Sequence, residues 1–123
     1  MNQFEYLRIF TDENDCSHFE AVGVSLNSTD YAPPASNLYT SSVENANRYL
    51  FLDLPVGWYG KWHPTPVRQW LALLSGECEF ETGDGEKRII KAGDIVLLED
   101  TSGKGHQTKV LGNTSVRILA VHL

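Results

Sequence analysis

Basic residues are scarce in this chain. Ten Lys and Arg stand against sixteen Asp and Glu, leaving a formal net charge of −6. Phosphate binding needs a basic face, so that balance excludes a nucleic-acid partner. It equally excludes a polybasic patch for membrane surfaces. No apolar run approaches the length that spans a bilayer. Two cysteines, Cys16 and Cys78, are too few for a disulfide framework, which points to a reducing, cytoplasmic address. Met1-Asn2-Gln3-Phe4-Glu5 lacks the basic-then-apolar order of a secretory leader. Helical periodicity is also missing. What remains is a 123-residue chain, 41% hydrophobic, long enough to bury one core as a single domain.

Short runs of β-branched and aromatic residues recur between Gly, Pro, Asn and Asp, the pattern of many strands closed into a barrel or sandwich. Strands are expected near residues 6–10, 19–26, 49–54, 67–74, 77–82, 87–90, 95–98, 108–111 and 116–122. The clearest is Glu77-Cys78-Glu79-Phe80-Glu81-Thr82, where three carboxylates alternate with residues suited to a packed face. Those glutamates read as a solvated face rather than a catalytic set. Gly83-Asp84-Gly85 supplies a tight hairpin turn. Residues 26–48 turn to Asn, Ser, Thr, Pro and Ala, a span read as an arm over the barrel or exchanged with a second subunit, or else a flap at its mouth. The expected layout is N-terminal strands and arm over 1–47 and a barrel core over 48–123.

On a strand over 67–74, Val67, Gln69, Leu71 and Leu73 share one face. A glutamine among aliphatics needs a partner, since an unpaired buried polar group costs about 1–3 kcal/mol. His63 precedes it by six residues, after Trp58-Tyr59-Gly60-Lys61-Trp62. Pro64 and Pro66 favour an extended chain, so His63, Thr65 and Gln69 are expected to project inward. Tyr59, Thr65, Leu71 and Leu73 would then wall a pocket. A second segment, Gly93 to His106, runs a buried strand into the acidic corner Glu99-Asp100, then through Gly103-Lys104-Gly105 to His106. His18 reads as a surface residue at a strand start. His122, alternating with Ala120 and Ile118, is expected to face a core or a dimer surface. Trp70 faces away from Gln69.

These two segments resemble the motifs of the cupin superfamily, the double-stranded β-helix or jelly-roll barrel. Its first motif reads Gly-x5-His-x-His-x3,4-Glu-x6-Gly, and residues 57–76 reproduce that spacing. Gly93 and His106 echo the second, Gly-x5-Pro-x-Gly-x2-His-x3-Asn. In the family, histidines and a glutamate at these positions commonly bind a divalent metal. Here His63 and His106 stand at two histidine positions, Thr65 replaces the other first-motif histidine, and Gln69 replaces the glutamate. The second motif is two residues longer, with Glu99 at the proline and Val110 at the asparagine.

The resemblance implies a homodimeric small-molecule cupin with a reduced ligand set, His63, Gln69 and His106, for Fe, Ni, Zn or Mn. Imidazole is a good ligand for these ions, whereas an amide oxygen is weak and a threonine hydroxyl weaker. Glu99 or Asp100 would strengthen the set if the longer loop folds back. Two readings follow: a metal-dependent dioxygenase, isomerase or lyase acting on a small polar molecule, or a metal-free, non-catalytic barrel that binds a small molecule or is a structural homodimer.

Overall fold

The computed structural model describes residues 3–123. Met1 and Asn2, which open the stretch where no secretory leader is expected, lie outside the described residues. The chain forms twelve strands: β1 (Gln3–Thr11), β2 (Ser17–Ser25), β3 (Asn27–Thr29), β4 (Leu38–Thr40), β5 (Arg48–Leu54), β6 (Tyr59–His63), β7 (Gln69–Leu73), β8 (Glu77–Glu81), β9 (Lys87–Lys91), β10 (Ile95–Glu99), β11 (His106–Leu111) and β12 (Val116–His122). There is no helix among the described residues, and hence no helix long and apolar enough to cross a membrane.

The strands build a jelly-roll barrel. A six-stranded sheet runs β2-β1-β10-β7-β12-β5, and a four-stranded sheet runs β6-β11-β8-β9. Inward residues of both sheets share one core, with Ile9, Leu71, Val96 and Ile118 meeting Cys78, Phe80, Ile90 and Val110. Each large apolar side chain buried there contributes about 1.5–3 kcal/mol. β8 shows the expected alternation, since Cys78 and Phe80 are buried while Glu77 is exposed. β1 pairs in parallel with β10, so residues N-terminal to 48 supply a strand inside the larger sheet. Within the 26–48 segment, β3 and β4 form a two-stranded sheet. Ser41, Ser42 and Glu44 then border a groove on the outer face beside Trp70 and Tyr6. The Tyr6 and Trp70 rings meet edge-on at 4.7 Å.

Two local departures shape the interior. Val67 lies outside β7 and is exposed, because the chain bends there and Thr65 Oγ1 donates to the Val67 carbonyl at 2.7 Å. The second departure is a strand where none was expected, β6, and it is irregular. His63 pairs with His106 and Gly60 with Thr108, so Lys61 and Trp62 of β6 stand opposite the single residue Gln107 of β11. Such a bulge switches the inward parity of the strand. Gly60 is buried, His63 is exposed but borders the interior cavity, and the Trp58 ring packs against Gly60. The same switch leaves Tyr59 outside: it is exposed, and its hydroxyl donates to Gln107 Oε1.

The β1–β2 turn is tied to the β8–β9 turn through His18. Its Nε2 lies 2.6 Å from Asp12 Oδ2 and its Nδ1 lies 3.1 Å from Asp84 Oδ2. The hydrogen bond to Asp12, helped by the one to Asp84, raises the His18 pKa. Asp12 is held below the carboxylate range, chiefly by His18. Asp84 is lowered too: burial opposes the shift, but Thr82, the Glu86 amide and His18 outweigh it. The His18 contribution is complete below its unfolded value near 6.5 and fades as pH rises through the folded value. The aspartate contributions are complete above about 3.8 and fade as pH falls through the lowered values. Urea unfolding with a chelator present is therefore expected to show this latch strongest between about pH 4 and 6.5. Replacing His18 by Gln should flatten that profile, and an unchanged profile would contradict the latch.

Candidate functional site

Gln69 opens β7 with its side chain inward, and Thr65 sits just before it in the Pro64–Val67 bend. Gly105 delivers His106 to the start of β11. It adopts φ +76°, and a Cβ there would overlap the His63 carbonyl, so only glycine lets the two histidine-bearing segments approach this closely. His63, Thr65, Gln69 and His106 thereby line one cavity of about 340 Å³. The two imidazole centroids lie 5.0 Å apart.

Each of three side chains has one polar atom engaged and one left over. His63 Nδ1 donates to the Lys61 carbonyl at 2.5 Å. His106 Nδ1 donates to Asp100 Oδ2 at 2.6 Å, where both side chains are buried. Gln69 Nε2 donates to Thr65 Oγ1 at 3.1 Å, and that hydroxyl passes its own proton to Val67. In the neutral rings, with Nδ1 donating, Nε2 of each histidine is the acceptor. Gln69 is left with its carbonyl oxygen. The site therefore offers two imidazole nitrogens and one amide oxygen on the same cavity.

Asp100 bears on the site through His106. A carboxylate behind an imidazole fixes the tautomer and raises the basicity of the far nitrogen. The Thr65 amide donates to the Asp100 backbone carbonyl at 3.0 Å, which anchors this corner to the Pro64–Val67 bend. Asp100 Oδ1 is buried without a protein partner. Glu99 points elsewhere and is bound by Arg8 and Arg68. Burial opposes ionisation there, but the two guanidiniums outweigh it and hold Glu99 below the usual carboxylate range. No carboxylate of that corner lines the cavity.

The remaining wall is apolar. Leu71 and Leu98 line it from the centre of the larger sheet, Leu50, Leu52 and Leu54 from β5, and Phe80 stacks on His106 at 5.6 Å and 21°. Leu73, expected in the pocket, is buried in the core beyond its floor, and Tyr59 is excluded by the bulge. His122 lines the cavity opposite Gln69 across the β12–β7 pair. The signal was its parity with Ile118 and Ala120; that β12 lies beside β7 is set by topology, which spacing does not reveal. Among the described residues, one set of three His, Cys, Asp or Glu brings its ligand atoms within 4.8 Å of one another: Asp12, Cys16 and His18. The cavity histidines form no such closed cage.

A family model described as cupin domain matches residues 50–122, more than half of the chain. No match is found among curated proteins. Solved structures with a similar fold include the cupin domain of Schizosaccharomyces pombe Cnp3, 14% identical, covering 99% of this chain and 87% of that one at a TM-score of 0.47. A putative ethanolamine utilization protein Q from Salmonella typhimurium is 22% identical, covering 99% of this chain and 97% of its own at 0.44. An RmlC-like cupin protein from Desulfovibrio desulfuricans is 13% identical, covering 65% and 76% at 0.45.

Proposed function

The chain belongs to the cupin-domain family, and on that premise we propose that it binds a small polar organic molecule inside its barrel, beside a divalent metal held by His63, Gln69 and His106. The observation that carries this reading is the set of three acceptors, His63 Nε2, His106 Nε2 and Gln69 Oε1, left over on one cavity. The donor chemistry fits a borderline ion such as Zn, Ni or Fe, bound weakly because no anionic group belongs to the set. Asp100 supplies negative charge one hydrogen bond away. When bound, the ion would act as a Lewis acid toward an oxygen of the organic ligand. The leucine wall excludes water and takes the ligand's apolar part. His106, clamped between Asp100 and Phe80, holds its lone pair in a fixed direction.

Titration of tag-free protein with Ni²⁺ in a calorimeter tests this. One equivalent should depend on both histidines, weakening at least about tenfold in His63→Ala and in His106→Ala. Binding indifferent to both variants contradicts the metal. A metal-free binding barrel is the second reading, favoured by the diversion of Glu99 to Arg8 and Arg68.

The proposed assembly is a homodimer through the free edge of β5. Tyr49 and Phe51 are 71% and 64% exposed there and meet edge-on at 6.3 Å, an apolar edge that soluble monomers rarely leave bare. Light scattering should show a dimer that Phe51→Arg converts to monomer; a wild-type monomer at about 100 μM, a concentration at which even weak dimers associate, contradicts it. The free thiols Cys16 and Cys78 support the cytoplasmic reading.

A further inference from the structure

The latch residues have a second property. One Asp12 carboxylate oxygen, Cys16 Sγ and one His18 nitrogen all lie within 4.8 Å of one another. They come from a single turn whose shape is fixed independently: Asp12 Oδ1 accepts the Asn14 and Cys16 amides at 2.8 and 3.0 Å. Its Oδ2 is thereby left to face His18 Nε2 at 2.6 Å. On the far side of the ring, Nδ1 reaches Asp84, which is itself held by Thr82 Oγ1 at 2.6 Å and the Glu86 amide at 3.0 Å.

A carboxylate oxygen, a sulfur and an imidazole nitrogen, with a second carboxylate bonded to the imidazole's other nitrogen, form a zinc-type donor set. Tetrahedral bonds of about 2.0–2.3 Å place ligand atoms roughly 3.2–3.8 Å apart. The Asp12–His18 pair would open by about 0.6–1.2 Å, and the remaining separations, at most 4.8 Å, would close by up to about 1–1.6 Å. We propose that Asp12, Cys16 and His18 form a binding site for a zinc-class divalent cation, oriented by Asp84 and separate from the barrel cavity. On binding, the ion takes the place of the protons on His18 Nε2 and Cys16 Sγ, which pass to solvent. Three protein ligands leave a fourth position for water, an open rather than a closed site. None of the four residues lines the barrel cavity, so this site stands or falls apart from the one proposed there.

Cobalt(II) is the probe, because a thiolate ligand gives it an intense near-ultraviolet charge-transfer band that nitrogen and oxygen ligands do not. Cys78 cannot supply that thiolate. Burial pushes its thiol up to about 12, and it sits in the core. Titrating the reduced 123-residue protein with Co²⁺ should give the band at one equivalent, and Zn²⁺ should abolish it. The band should vanish in Cys16→Ser and weaken in affinity about 10–100-fold in Asp84→Asn. It should persist in His63→Ala and His106→Ala. A wild-type protein that binds Co²⁺ without the band, or does not bind it, overturns the site, as does a band that survives Cys16→Ser.

Discussion

Phe80→Ala is expected to lower the unfolding free energy by about 3–5 kcal/mol, the range for deleting a fully buried aromatic. Phe80 is 2% exposed, lies at the centre of the shared core and stacks on His106. A domain of this size has about 5–15 kcal/mol in total, so the variant loses at least about a fifth of its stability. The thermal midpoint should fall by about 10–20 °C. Phe80→Leu refills much of the volume and should cost under about 1.5 kcal/mol. The two variants separate packing from site geometry, because both remove the ring that flanks His106 while only one empties the core. Equal losses in differential scanning calorimetry would contradict a cavity-dominated account.

Asp100→Ala is expected to damage the site more than the fold. It removes the acceptor for His106 Nδ1 and leaves a buried donor unpaired, worth about 1–3 kcal/mol. Against that, it also removes a buried carboxylate whose Oδ1 has no partner, and the desolvation it relieves reduces the net loss. The imidazole is then free to move its proton to Nε2, which removes the acceptor facing the cavity. Ni²⁺ affinity should fall about 10–100-fold, the usual cost of losing a carboxylate behind a histidine ligand. Asp100→Asn retains a carbonyl acceptor and should recover part of the loss. Full affinity in Asp100→Ala would show that His106 needs no such support.

Much of the barrel was legible because β structure writes itself locally. Carboxylates alternate with Cys78 and Phe80 along β8, and Gly83-Asp84-Gly85 marks the turn that follows. His63, Gln69 and His106 could be named together because their two segments resemble the cupin motifs; residue type and strand parity alone join only His63, Thr65 and Gln69. Three features had no local signature. The bulge in β6 arises from pairing with β11, so its effect on Tyr59 could not be read from residues 58–63 alone. The parallel β1–β10 pair joins residues some ninety apart. His122 meets Gln69, and His18 meets Asp84, only because topology sets their strands or turns side by side. Asp100 was half legible: the acidic corner was visible, but which carboxylate turns inward was decided by Arg8 and Arg68, which draw Glu99 outward.

The central proposition is that His63 and His106 present unprotonated Nε2 atoms to one interior ligand. Long-range proton–nitrogen correlation spectra of the imidazoles, recorded during a Zn²⁺ titration, read this directly. Both rings should start with the proton on Nδ1, and both Nε2 resonances should move together as zinc is added while Nδ1 stays protonated. Rings that carry the proton on Nε2, or Nε2 signals unmoved at saturating zinc, would contradict it.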